Sequence, residues 1–221
     1  CTPNGGYPFT DYNKKSYRNY RLMLGASIHR YYDSSQPFAI TLLDARQDNS
    51  HGSSAKGGRG KGLTAKIIKN SIPNNTFITT EYKKNNHFQW QNVSKKTQTI
   101  LVDEVSSKDV KALYSIITEP ITVEQKNKNA YEISGAGKPR LIITSNYVVG
   151  SDVSTQRRLL RFSFTDFFDA KHTPIDLLGN PIIQQYTEEQ WSRFDDFMNE
   201  CGTEWIKYIS EGGKVKDLTP S

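Results

Sequence analysis

The sequence has almost no cysteine: Cys1 and Cys201 are the only two among 221 residues. Two thiols build neither a disulfide framework nor a zinc ligand set, so the composition points to a reducing compartment, the cytoplasm. Long apolar runs are missing too. No stretch approaches the roughly 20 residues that a membrane-spanning helix needs, and no signal-peptide pattern is present, so no membrane partner is expected. There is no internal repeat and no initiating methionine. The chain starts at Cys1, and it is expected to be a piece of a larger protein. Acidic excess is also absent. Lys and Arg number 29 against 23 Asp and Glu, a net charge of +6. That balance permits a polyanionic partner without identifying one.

What is present is a set of short apolar runs. Hydrophobic residues are only 35% of the chain, but they are concentrated in Phe38-Ala-Ile-Thr-Leu-Leu43, Thr99-Ile-Leu-Val102 and Leu141-Ile-Ile-Thr144. Each is short enough for a strand and unbroken enough to be buried on both faces. The length suits one domain, with room for a small appendage.

The first run precedes a glycine-dense turn, Ala55-Lys-Gly-Gly-Arg-Gly-Lys-Gly-Leu63, and the spacing predicts a helix over Lys61 to Lys69. A strand, a glycine turn and a helix start together suit a phosphate. Glycines let backbone N–H groups close around the anion, and the helix N-terminus adds free N–H groups and partial positive charge. Gly57, Gly58, Arg59, Gly60, Lys61, Gly62 and Leu63 are therefore the candidate ATP-binding residues, with Lys61 placed to reach the β and γ phosphates. Two positions depart from the full P-loop pattern. Ala55 stands where its first glycine would be, and Gly62 stands where a Ser or Thr hydroxyl would meet Mg²⁺.

The second run ends in two carboxylates, Thr99-Ile-Leu-Val-Asp-Glu-Val105. A buried parallel strand of this kind delivers Asp103 to its C-terminal edge, where it can hold Mg²⁺ directly or through water. Glu104 can polarise an attacking water. The third run ends at Asn146, which could hydrogen-bond a γ-phosphate or that water, or simply turn the chain. Between these runs, Pro120-Ile-Thr-Val-Glu124 and Ala130-Tyr-Glu-Ile-Ser134 read as a hairpin. Its basic tip carries Lys126, Asn127 and Lys128. Arg157 and Arg158 precede a further strand, and arginine's planar fork suits phosphates. Glu81 to Lys96, with His87, Phe88 and Trp90, is open to two readings: a base-stacking surface, or a helix packed on the sheet.

The order of these parts resembles a superfamily 3 helicase core, the ATPase domain of phage, plasmid and viral primase-helicases, from about Tyr20 to Phe168. The resemblance implies a P-loop NTPase, AAA+-like, three-layer α/β/α fold with a central, mainly parallel sheet and an inserted β-hairpin. It implies that Lys61 is the Walker A lysine, that Asp103 and Glu104 are the Walker B pair, and that Asn146 is the sensor. Lys126 and Lys128 would then track DNA in a central pore, and Arg157 or Arg158 would be an arginine finger acting on a neighbour's ATP. Family members are usually hexameric rings that translocate 3′ to 5′ on single-stranded DNA, so the resemblance implies a fused primase or other replication domain and a place in a bacterial cytoplasm or, if viral, a host cell. The expected layout is a linker at 1–11, the helicase core at 12–168 with a lid helix at 12–32, a C-terminal helical segment at 169–211 and a tail at 212–221. Two other functions stay open. One is a DNA scaffold or loader that binds nucleotide with little hydrolysis. The other is an unrelated monomeric P-loop enzyme.

Overall fold

The apolar runs marked in the sequence lie side by side in one sheet. The computed structural model describes residues 11–44, 58–83, 85–146, 152–164, 168, 173–179 and 181–218. Gly57 and the polar loop 45–57 lie outside the described residues. In chain order the elements are α1 (Asp11–Ile28), β1 (Ala39–Asp44), α2 (Lys61–Ser71), β2 (Thr76–Thr79), β3 (Thr99–Val102), α3 (Ser107–Val110) and α4 (Tyr114–Thr118). Then come β4 (Ile121–Val123), β5 (Tyr131–Ile133), β6 (Arg140–Ser145), α5 (Val153–Arg158), β7 (Leu159–Phe164), α6 (Pro174–Leu178) and α7 (Glu188–Ser210).

The main sheet has the order β2-β3-β6-β1-β7, and every pairing in it is parallel. All five C-terminal ends therefore share one edge, where ligands bind in open parallel sheets. The order inserts β6 between β1, which leads to the glycine turn, and β3, which ends in Asp103. The second sheet is the antiparallel hairpin β4-β5, with Ile121 opposite Ile133 and Val123 opposite Tyr131.

Strand side chains alternate between faces, and the alternation divides the core in two. Ile40, Leu42, Leu101, Ile142 and Leu160 meet Leu24 of α1, Ile68 of α2, and Met198 and Trp205 of α7. Ala39, Leu43, Ile100, Val102, Leu141 and Ile143 meet Val110, Leu113 and Ile117, with Ile121, Val123 and Ile133 of the hairpin. The result is a three-layer α/β fold of the P-loop NTPase type, with the hairpin anchored by its base in the second cluster.

Several elements differ from their sequence-based expectation. Helix α1 ends at Ile28 rather than Tyr32. The Arg140 guanidinium, on a distant strand, donates to the carbonyls of Ala26, Phe38 and Tyr31 at 3.3, 3.0 and 2.7 Å, and so takes up carbonyls at the turn where the helix stops. The helix has buried residues all round from Leu22 to Ser27, because it is sandwiched between the sheet and α7. In α7, Phe194, Met198, Cys201 and Trp205 form the buried stripe, whereas Ile206 is exposed. Between β3 and the hairpin, α3 and α4 share a buried face formed by Val110, Leu113, Ile116 and Ile117 and are joined by a 3₁₀ turn at Lys111–Leu113. No α-helix forms over 81–96 among the described residues. A 3₁₀ turn at His87–Trp90 puts Trp90 against Tyr82 and Phe77, with ring centroids 6.2 and 6.1 Å apart, and leaves Phe88 exposed. No helix among the described residues is long and apolar enough to cross a membrane.

Candidate functional site

Three strand ends and one helix start converge at the C-terminal edge of the sheet. Gly58 and Gly60 carry φ of 94° and 108°, a region that favours glycine over any residue with a Cβ. Gly60 caps α2 with no side-chain hydrogen bond. The first-turn N–H groups of a helix have no intrahelical partner, so Lys61, Gly62 and Leu63 present theirs toward the edge. The Lys61 ammonium donates to the Asp44 carboxylate at the end of β1 and to Asn146 Oδ1, just past β6, at 2.5 Å. Lys61 and Asn146 are thus in direct contact. Asp44, the third member, was not singled out in the sequence. A carboxylate at the head of a polar loop looks like any loop residue, and only its place as the last residue of a P-loop strand could have marked it.

The second group lies one strand further along. Asp103 Oδ1 accepts from the Thr144 hydroxyl on β6 and, at 3.2 Å, from the Glu104 backbone N–H. That same N–H also donates to Thr144 Oγ1 at 2.9 Å. Glu104 adopts φ 55°, a left-handed conformation that costs a residue with a side chain about 1–2 kcal/mol. The paired bonds from its N–H hold it there, and its carboxylate stays exposed. Asp103 is fixed through one oxygen and keeps Oδ2 free of hydrogen bonds among the described residues. Thr144 is the second residue the sequence did not mark.

Magnesium takes hard oxygen ligands and is commonly held by one or two carboxylates together with phosphates and water. Asp103 fits that role. Among the described residues no group of three or more His, Cys, Asp or Glu converges into a closed metal cage. Thr64 does not supply the hydroxyl missing at Gly62. It is buried, and its Oγ1 pairs with the Tyr20 hydroxyl at 3.1 Å. Burial in turn pushes the Tyr20 hydroxyl's pKa up.

The remaining sequence candidates lie apart from these two groups. Leu159, directly after Arg158, pairs with Ala39 at the start of β1. The arginines therefore sit at the opposite edge of the sheet, roughly 17–20 Å from Asp44 at about 3.3 Å per residue. Arg157 is exposed, with no partner among the described residues. Arg158 is half-buried, folds back onto Ser154 Oγ at 2.5 Å and covers the Tyr114 ring at 5.6 Å. At the hairpin, Lys126, Asn127 and Lys128 are all exposed, and Asn127 takes φ 59° to turn the tip. The 81–96 segment braces the hairpin. Gln125 Nε2 donates to the Gln91 carbonyl at 2.8 Å, and the Tyr131 hydroxyl donates to the Val93 carbonyl at 2.8 Å. Exposed Phe88, His87 and Lys83 belong to that same bracing segment.

A family model described as a family of unknown function, DUF5906, matches residues 53–158, just under half of the chain. No curated protein matches. Among solved structures, the apo A form of the NrS-1 C-terminal region (CTR) aligns with a TM-score of 0.55 and 17% identity, over 96% of this chain and 48% of that one. The present chain therefore spans about half the length of the NrS-1 region it matches, and the likeness is one of fold. JCV helicase, solved with a bound thiazolopyridine acetamide, aligns at a TM-score of 0.43 and 11% identity, over 94% of this chain and 69% of that one.

Proposed function

We propose that this chain is the ATP-hydrolysing core of a superfamily 3 type DNA helicase from the replication protein of a phage, plasmid or virus. The observation that carries the proposal is the convergence of Lys61, Asn146, Asp103 and Glu104 on one edge of a parallel sheet, with β6 between the phosphate-loop strand and the carboxylate strand. Lys61 and the α2 N-terminus bind the phosphates of ATP. Asp103, anchored on Thr144, would hold the accompanying Mg²⁺, which would supply charge to neutralise the phosphates. Glu104 takes the proton of the attacking water, and Asn146 orients that water or the terminal phosphate.

Arg157 lies too far from its own chain's Lys61 to act there. It is exposed and has no partner among the described residues, so it serves the site of a neighbouring copy in a ring, where an arginine stabilises charge in the transition state. Lys126 and Lys128 meet the DNA phosphates, and exposed Phe88 offers a ring to an unstacked base. The full-length protein is expected to be a hexamer working on single-stranded or forked DNA, with a primase or another replication domain attached.

Glu104→Gln tests the chemistry. The variant is expected to bind ATP like wild type and to lose at least about 100-fold in turnover, the usual scale for removing a general base. One observation favours a second reading, a nucleotide-binding scaffold or loader: Gly62 removes a metal-binding hydroxyl. Turnover that is negligible in wild type and unchanged by Glu104→Gln would select it.

A further inference from the structure

Asp44 closes β1 and has no role in the mechanism above. Its residue is only 7% exposed. Oδ2 pairs with the Lys61 ammonium, whereas Oδ1 is buried without a hydrogen-bond partner. A buried carboxylate is costly unless its charge is matched. In the structure Lys61 supplies that match.

Nucleotide binding disturbs it. As Lys61 turns to the phosphates, Asp44 loses its counter-ion while a second anion arrives beside it. A cation between the two anions resolves both problems. The chain also lacks the protein oxygen that a P-loop usually gives such a cation, because position 62 is glycine. A Cβ built on Gly62 meets nothing within 4 Å, so the space beside it is open. Thr64 is engaged by Tyr20.

The sheet register places the two carboxylates. Asp44 follows Leu43, which lies opposite Ser145, and Asp103 follows Val102, which lies opposite Ile143. Two strand spacings of about 4.8 Å and two residues of rise put their Cα atoms roughly 12 Å apart. That separation suits one carboxylate binding an ion directly and the other through a water.

We propose that Asp44 is a direct ligand of the Mg²⁺ that accompanies the nucleotide, replacing the hydroxyl absent at position 62, with Asp103 holding the ion through water. The inference rests on the nucleotide-binding function proposed above. The test is calorimetric titration of the full chain with ATP, once in EDTA and once in Mg²⁺. It uses wild type, Asp44→Asn and the double variant Asp44→Asn with Gly62→Ser, each first shown folded by thermal melting.

Mg²⁺ is expected to tighten ATP binding to wild type by about tenfold or more, and to Asp44→Asn by less than about threefold, on the scale of a weakened metal site. In EDTA, Asp44→Asn is expected to bind ATP more tightly than wild type, since one anion has been removed from beside the phosphates. The double variant regains the Mg²⁺ effect through its new hydroxyl. A full wild-type Mg²⁺ effect in Asp44→Asn would overturn the assignment and leave Asp44 as a counter-ion for Lys61 alone. Absence of ATP binding by wild type in both buffers would instead overturn the nucleotide-binding function itself, and this ligand with it.

Discussion

Lys138 shows at the scale of one residue how burial fixes a charge. Its ammonium donates to the carbonyls of Ile117 and Glu119 at 3.0 and 2.5 Å and lies 5.5 Å from the Tyr32 ring. Burial pushes its pKa down to about 8 from an ordinary value of 10.5. Between those values the unfolded chain binds more protons than the folded one, so this group's contribution to stability rises with pH. The melting temperature of wild type is therefore expected to gain on that of Lys138→Met as pH is raised from about 8 to 10.5. A constant or shrinking difference would contradict the burial of a charged amine here. Lys138 and Arg140 illustrate what the sequence could not show. Both sit just before an apolar run, and both are buried because their carbonyl partners come from segments far away in the chain. Asp44 and Thr144 were illegible for the same reason. Lys61, Asp103 and Asn146 were legible because each ends or follows an apolar run, or ends a glycine turn, in a fixed local pattern.

At the scale of elements, the pairing of α1 with α7 closes one side of the sheet. The two helices approach so closely that a Cβ on Gly25 would overlap the Cys201 carbonyl and come within 2.8 Å of Trp205 Cβ. Backbone cannot yield as a flexible side chain does. Gly25→Ala is expected to cost about 1–3 kcal/mol in urea unfolding, the usual scale of overpacking. An unchanged midpoint would contradict the close approach. The Cys201 thiol near that crossing is buried, and burial pushes its pKa up to about 11, which keeps it unreactive near neutral pH. The β4-β5 hairpin behaves differently. Its base is held by Ile121, Val123 and Ile133, and its tip leaves Lys126 and Lys128 exposed. Replacing both lysines by alanine is expected to weaken single-stranded DNA binding equally across sequences. The slope of log K against log salt should fall by about 0.7 for each phosphate that is no longer neutralised. An unchanged slope would remove the hairpin from the DNA path. Both arms of this hairpin were readable from alternating apolar residues. The 81–96 segment that braces it was not, since its aromatic residues serve packing and exposure at once: Trp90 and Tyr82 stack inward while Phe88 faces out.

At the scale of the molecule, one parallel sheet holds the two sets of proposed site residues at opposite edges. Lys61, Asn146 and Asp103 gather where β1, β3 and β6 end. Arg157 stands where β7 begins, and a single copy cannot bring the two together. The strand order that causes this separation was only partly legible. The three apolar runs marked β1, β3 and β6 as buried strands, and Arg157 and Arg158 marked the start of β7. No local pattern, however, reveals that α7, from the far end of the chain, shares the core of α1 and β1. A site completed across copies, as proposed above, would make turnover depend on assembly.

The most direct measurement is the ATPase rate per chain at rising protein concentration, with and without single-stranded DNA, for wild type and Lys61→Ala. The rate per chain is expected to climb with concentration, to rise further with DNA, and to vanish in Lys61→Ala. A rate per chain that ignores both concentration and DNA, or that survives in Lys61→Ala, would contradict a shared-site DNA motor.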